Sequence, residues 1–110
     1  MTAQIVVVTT CGSAGEALRI AGALVERKLA ACVNIQQVPV RSIYRWKGRI
    51  ESAKEFLLLI KTSRKRFAEL EKAIRRLHSY EVPEIIALPI VAGSTKYLAW
   101  ISDSIRAPKA

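Results

Sequence analysis

Two long extended segments, Cys32 to Trp46 and Arg49 to Thr62, meet at the tight turn Lys47-Gly48 and constrain this chain more than any other feature. Each arm runs roughly 20 Å beyond the length of the β-branched run Gln4 to Thr10, at ~3.3 Å per residue. That earlier run reads as a central strand buried on both faces. A bare two-stranded ribbon of such length is marginal in water, so it must lie against more protein. Pro39 interrupts the first arm, and because proline cannot donate to a ladder the chain there should be an edge or a bulge. Apolar residues make up 51% of only 110 positions. A domain this small has little interior, so part of that apolar surface calls for a partner, most simply a second copy.

Around the hairpin the periodicity turns helical. Ser13 and Glu16 form a capping box that opens a helix over residues 14–29, with Leu18, Ala21, Leu24, Val25 and Leu29 as its stripe. Ser63 is placed to cap a second helix along Phe67, Leu70, Ile74 and Leu77, with Glu71 and Arg75 paired outside that stripe. Residues 84–91 read as the fourth strand. Ala92-Gly93-Ser94 then starts a short last helix along Tyr97, Leu98, Ile101 and Ile105. The whole, residues 1–110, is a single α+β domain, a ferredoxin-like β-α-β-β-α-β with a C-terminal helix. Right-handed crossovers give an antiparallel sheet of order 4-1-3-2, both main helices on one face and a long hairpin protruding between the second and third strands.

Composition narrows the function classes. A net charge of +9 draws anions, from nucleic acid to small phosphates, without selecting among them. Arg64-Lys65-Arg66 and Arg75-Arg76 lack any aromatic, Gly-rich strand beside them, so nucleic acid is a disfavoured partner held by charge alone. Cys11 and Cys32 make neither a C-x-x-C nor a finger spacing and read as reduced thiols of a cytoplasmic protein. No apolar run approaches the ~20 residues of a membrane span, so no membrane partner is expected. Gly12-Ser13-Ala14-Gly15 is not a P-loop, since no Gly-Lys-Ser/Thr follows and the capping box already uses its donors. With one histidine and one aspartate there is no hydrolytic triad, and the chain is not expected to be an enzyme.

Several blocks resemble the CutA divalent-cation-tolerance family: residues 29–35 with Cys32 and Asn34, Ser42-Ile43-Tyr44-Arg45-Trp46-Lys47-Gly48, and Leu59-Ile60-Lys61-Thr62. His78 with Tyr80-Glu81-Val82-Pro83-Glu84 and the ending Tyr97-Leu98-Ala99-Trp100-Ile101 match as well, in order, over nearly the whole chain. The resemblance implies a homotrimer similar in architecture to the PII signalling proteins, and a role in tolerance of divalent metals, copper most often, without an established reaction. Two positions depart from the family's usual pattern. Ser79 and Gly12 stand where prolines are common, and Ser79 is expected to loosen the loop that carries His78.

Cys11, His78 and Glu84 are the candidate metal ligands, since strand one and helix two end, and strand four begins, at one edge of the sheet. Thiolate, imidazole and carboxylate suit copper or zinc, and Cys11 near a helix N-terminus should favour the thiolate. The alternative is a packed cysteine, a histidine held by hydrogen bonds and a strand-capping carboxylate; without local ligand spacing the residues favour it. Tyr44, Trp46, Lys61 and Tyr80 are the interface or pocket candidates, with Trp46 expected to anchor a neighbouring subunit. No cofactor is assigned with certainty, copper or another divalent cation being the one left open. The expected partners are the chain itself, as a homotrimer, and a ligand, either copper or another divalent cation or a small anion. The alternative function is that of a PII-like signalling or scaffold protein acting through a protein partner.

Overall fold

The computed structural model describes residues 2–106. Strand β1 (Gln4–Cys11) is the centre of the sheet, antiparallel to β4 (Arg49–Ser63) on one side and to β5 (Ile86–Pro89) on the other. Its β-branched residues fit a strand with a neighbour on each edge. The sheet order β2-β4-β1-β5 is the expected one, because β2 (Cys32–Ile35) and β3 (Val40–Trp46) are two pieces of the predicted second strand. Both pair with β4, and between them residues 36–39 face only residues 56 and 57. That bulge is where Pro39, with no N–H to give, leaves the ladder. At the other end Lys47 (φ 50°) and Gly48 (φ 79°) make the two-residue turn with positive φ that matches strand twist.

Helices α1 (Ala14–Glu26) and α2 (Phe67–Leu77) contribute Ala17, Ile20, Leu24, Leu70, Ala73 and Ile74 to one core with Ile5, Val7, Leu58 and Ile60 of the sheet. The α1 face is offset from the predicted stripe: Ala21, Leu24 and Leu29 are buried as expected, but two members are not. Ala17 and Ile20 lie inward, whereas Leu18 is 65% exposed and Val25 is also exposed. The inner side is thus centred on Ala17, Ile20, Ala21 and Leu24, and the stripe missed two of these and included two residues at its margin. The helix also ends three residues early: Lys28 takes φ 58°, and the N–H groups of Leu29 and Ala30 both return to the Leu24 carbonyl. Ser63 does not cap α2. It remains in the ladder opposite Gln4, and a 3-10 turn (Arg64–Arg66) precedes the helix proper. On this helix Arg66 pairs with Glu69 at 3.2 Å; the expected Glu71–Arg75 pair is not formed among the described residues.

Helix α3 (Thr95–Ser104) is capped by Ser94 and buries Ile101 and Ile105 with Ala31. Tyr97 instead turns outward to stack with Trp100, ring centroids 5.5 Å apart. Gln4 fixes α3 to the sheet through Nε2, which donates to the Leu98 carbonyl and to Ser102 Oγ. Strand alternation puts Gln4, Val6, Leu57, Leu59 and Lys61 on the face opposite the main core, and α3 covers only the Gln4 end of it. Leu59 on that face is 37% exposed. Strand β5, shorter than the expected 84–91, carries exposed Ile86 and Leu88 on a sheet edge. Among the described residues no helix is long and apolar enough to cross a membrane.

Candidate functional site

The end of β1, the start of α1 and the end of α2 converge at one end of the sheet. There Cys11, Glu16 and His78 place a ligand atom each within 4.8 Å of one another, all three buried. Glu84 is not part of this cluster and lies in the wall of the neighbouring cleft. The carboxylate that joins Cys11 and His78 is Glu16, which the sequence pattern assigns to helix capping. Only half of that box forms: Ser13 Oγ accepts from the Glu16 N–H at 3.1 Å, but the Glu16 carboxylate turns away. It accepts the Ser79 N–H at 3.0 Å and lies 3.9 Å from the Arg19 guanidinium.

In this arrangement the donors of the cluster are already engaged. His78 Nε2 lies 2.7 Å from the Thr10 carbonyl, and Nδ1 accepts the Tyr80 N–H at 3.1 Å. A carbonyl can only accept and an amide N–H only donate, which fixes the neutral tautomer with its proton on Nε2 and occupies both ring nitrogens. Burial first, and then the Glu16 and Glu55 carboxylates, push the Cys11 thiol up to about 11 against the small opposing pull of Arg19. Desolvation and two neighbouring acids thus outweigh the helix N-terminus, and the expected thiolate is a thiol. These donors are of the right types for a soft metal, and taking one would require the thiol to lose its proton and His78 to release one of its two hydrogen bonds. Ser79 likewise acts against expectation: its N–H, which proline would lack, ties the loop to Glu16.

From this clamp the chain runs directly into a half-open cleft of about 730 Å³. One wall is Tyr80, Glu81, Val82 and Glu84; the other is the hairpin face carrying Ser42, Tyr44 and Trp46 from β3 and Glu55 from β4. The His78 and Tyr80 rings sit 4.7 Å apart, and the Tyr80 hydroxyl donates to Glu55 Oε2 at 2.8 Å. Burial, followed by the Glu55 carboxylate, pushes that phenol well above its ordinary value and keeps it the donor. Gly12 leaves room for the ring, since a Cβ there would come within 3.2 Å of the Tyr80 hydroxyl. Trp46 has the Lys47 ammonium 5.7 Å from its ring centre.

Of the expected pocket residues, Tyr44, Trp46 and Tyr80 are brought together in the cleft. Lys61 is not: it pairs with Val6, five positions along β1 from Cys11. Glu55 carried no sequence signal, being one acid in an ordinary alternating strand. Glu16 carried one that pointed to capping.

Comparison with known proteins agrees with this architecture. The family described as CutA1 divalent ion tolerance protein matches residues 5–104. The divalent-cation tolerance protein CutA of Thermus thermophilus is 49% identical over 100 residues, 90% of this chain and 95% of that one. Its counterpart from Archaeoglobus fulgidus is 45% identical over 87% of this chain and 92% of its own length. Among solved structures, the CutA of Archaeoglobus fulgidus superposes with a TM-score of 0.90 at 42% identity, covering 94% of this chain and 99% of that one. The CutA1 of Oryza sativa gives 0.90 at 41% identity, over 96% of this chain and 95% of that one. The sheet order, the long ribbon and the match across nearly all of the chain lead to one conclusion: this protein belongs to the CutA1 divalent ion tolerance family.

Proposed function

We propose that the protein is a cytoplasmic homotrimer of the divalent-metal response that takes copper, or a small ligand, at the boundaries between its subunits. The observation that carries this reading is the incompleteness of the single chain around the cleft. The hairpin that supplies one wall projects from the sheet with Ile43 and Ile50 about 70% exposed. On the sheet face bearing Leu57 and Leu59, Gln4 at one end and Glu55 at the other are buried, whereas Leu59 between them is 37% exposed. A threefold ring in which each ribbon lies against its neighbour would cover both surfaces. The free thiols Cys11 and Cys32 support a reducing compartment.

Light scattering after gel filtration, followed by calorimetric titration of metal-free protein with copper, tests the reading. The expected results are a mass three times the 12.2 kDa of one chain and saturable uptake. The same titration on Cys11→Ala and Glu84→Gln separates uptake by the buried cluster from uptake in the cleft. A mass near one chain overturns the assembly. A trimer that takes up no metal favours a PII-like signalling or scaffold role through a protein partner.

A further inference from the structure

The cleft has a charge opposite to that of the chain around it. Three of the nine acids of the sequence, Glu55, Glu81 and Glu84, line it, and none of the 18 lysines and arginines does. Glu55 is the unusual one. It is 7% exposed, one carboxylate oxygen accepts the Tyr80 hydroxyl, and no cation pairs with it among the described residues. A buried carboxylate with a single neutral partner is costly, and a cation in the adjoining space would relieve that cost. The three acids do not gather around a common point as the ligands of one metal ion would; among the described residues only Cys11, Glu16 and His78 do so. What shares the cleft with them is aromatic: Tyr44, Trp46 and Tyr80. Aromatic faces attract nitrogen cations through their quadrupole and pack against the attached carbon, and Trp46 already holds the Lys47 ammonium nearby. A volume of about 730 Å³ exceeds what one lysine or arginine side chain fills and suits a small molecule.

We propose that this cleft is a binding site for a small organic ammonium or guanidinium compound, its cationic nitrogen held by Glu55 and its carbon skeleton by Tyr44 and Trp46. The proposal rests on the reading of the cleft as the ligand site and names the chemistry of the ligand. The probe is phenethylammonium, with 2-phenylethanol and phenylacetate as neutral and anionic counterparts of similar size. Calorimetry and the indole NMR signals of the assembled full-length protein are the readouts. Phenethylammonium is expected to shift the Trp46 signal and to bind at least about tenfold more tightly than either counterpart. Glu55→Gln, whose amide oxygen still accepts from Tyr80, is expected to remove that preference, and the exposed Glu84→Gln to reduce it severalfold without risk to the fold. Equal binding of the three probes, or an unchanged preference in both variants, overturns the proposal. So does uptake that appears only after the oligomer is dissociated, since the cation would then be a side chain of a second copy. Copper titration and light scattering on the same sample report separately on metal uptake and assembly, so a failure here is distinguishable from a failure of the function proposed above.

Discussion

Cys11 behaves as a small apolar side chain with a latent charge. Its thiol is raised from 9.0 to about 11 by burial and by Glu16 and Glu55. The protonated form is therefore favoured by the fold, and that contribution is fully present below pH 9. It is lost as pH rises from 9 through 11, to a total of ~3 kcal/mol once the thiol ionises in both states. Denaturant melts should show stability falling in that window, and Cys11→Ala should flatten the fall. In a Cys32→Ala background, alkylation at pH 7 should be roughly a hundredfold slower in the folded protein than in the unfolded chain, from the thiolate fraction alone. Equal rates would mean an ionised, accessible thiol. The sequence placed Cys11 and His78 at one end of the sheet through topology, but it could not show their protonation. That depends on which carboxylate turns inward, and the choice between Glu16 and Glu84 is made by a loop conformation that no periodicity encodes.

The element most affected is the turn that follows α2. His78 reaches back to Thr10, Ser79 to Glu16, and Tyr80 to His78 Nδ1, so three consecutive residues each hold the chain to something different. Ser79→Pro removes the middle bond and leaves Glu16 buried with one donor fewer. Stability should fall by ~1–3 kcal/mol, as a urea midpoint shift at constant slope would record. A stabilised variant would show instead that proline's restriction of the unfolded chain outweighs the lost bond. The hairpin was the most legible element. Its turn residues, its break at Pro39 and its excess length are all local properties of the chain. The inner face of α1 was the least legible, because Leu18 and Val25 are apolar yet face away from the core, and only the packed sheet selects Ala17 and Ile20. The early 3-10 turn at Arg64 was hidden for a related reason: Ser63 is a good cap in isolation but is committed to the strand.

The whole molecule, 46 × 30 × 24 Å, is elongated along its ribbon, and its apolar surface is unevenly distributed. Leu59, on the uncovered face of β4, gives the most direct test of what that face is for. Leu59→Arg adds a charge where a neighbouring copy would pack and touches nothing in the main core. Light scattering should then show the mass of a single chain, with the far-UV spectrum unchanged. An intact oligomer would place the interface elsewhere. The fold was readable from sequence because alternation and helical period act within a segment. The proposed assembly was legible only indirectly, as an over-long ribbon, a surplus of apolar residues and a family resemblance, since which faces would meet is a property of two surfaces and not of one strand.

The pairing of β3 has a mechanical consequence for the cleft. Tyr80, Glu81 and Glu84 form a jaw bolted to the body of the protein through the His78 and Ser79 bonds. Tyr44 and Trp46 form the opposite jaw on a strip only two strands thick, since from Val40 to Glu55 β3 and β4 pair with each other and, among the described residues, with no other strand. Support is thus distributed asymmetrically: the base of one jaw is tied to the core by the bonds of His78, Ser79 and Tyr80, and the other jaw is held by a single strand pair. The Tyr80–Glu55 bond links the two where the strip leaves the sheet, like the pin of a pair of tongs. The gap between the jaws then follows the bending of the strip, so whatever grips the ribbon from outside also sets the aperture of the cleft.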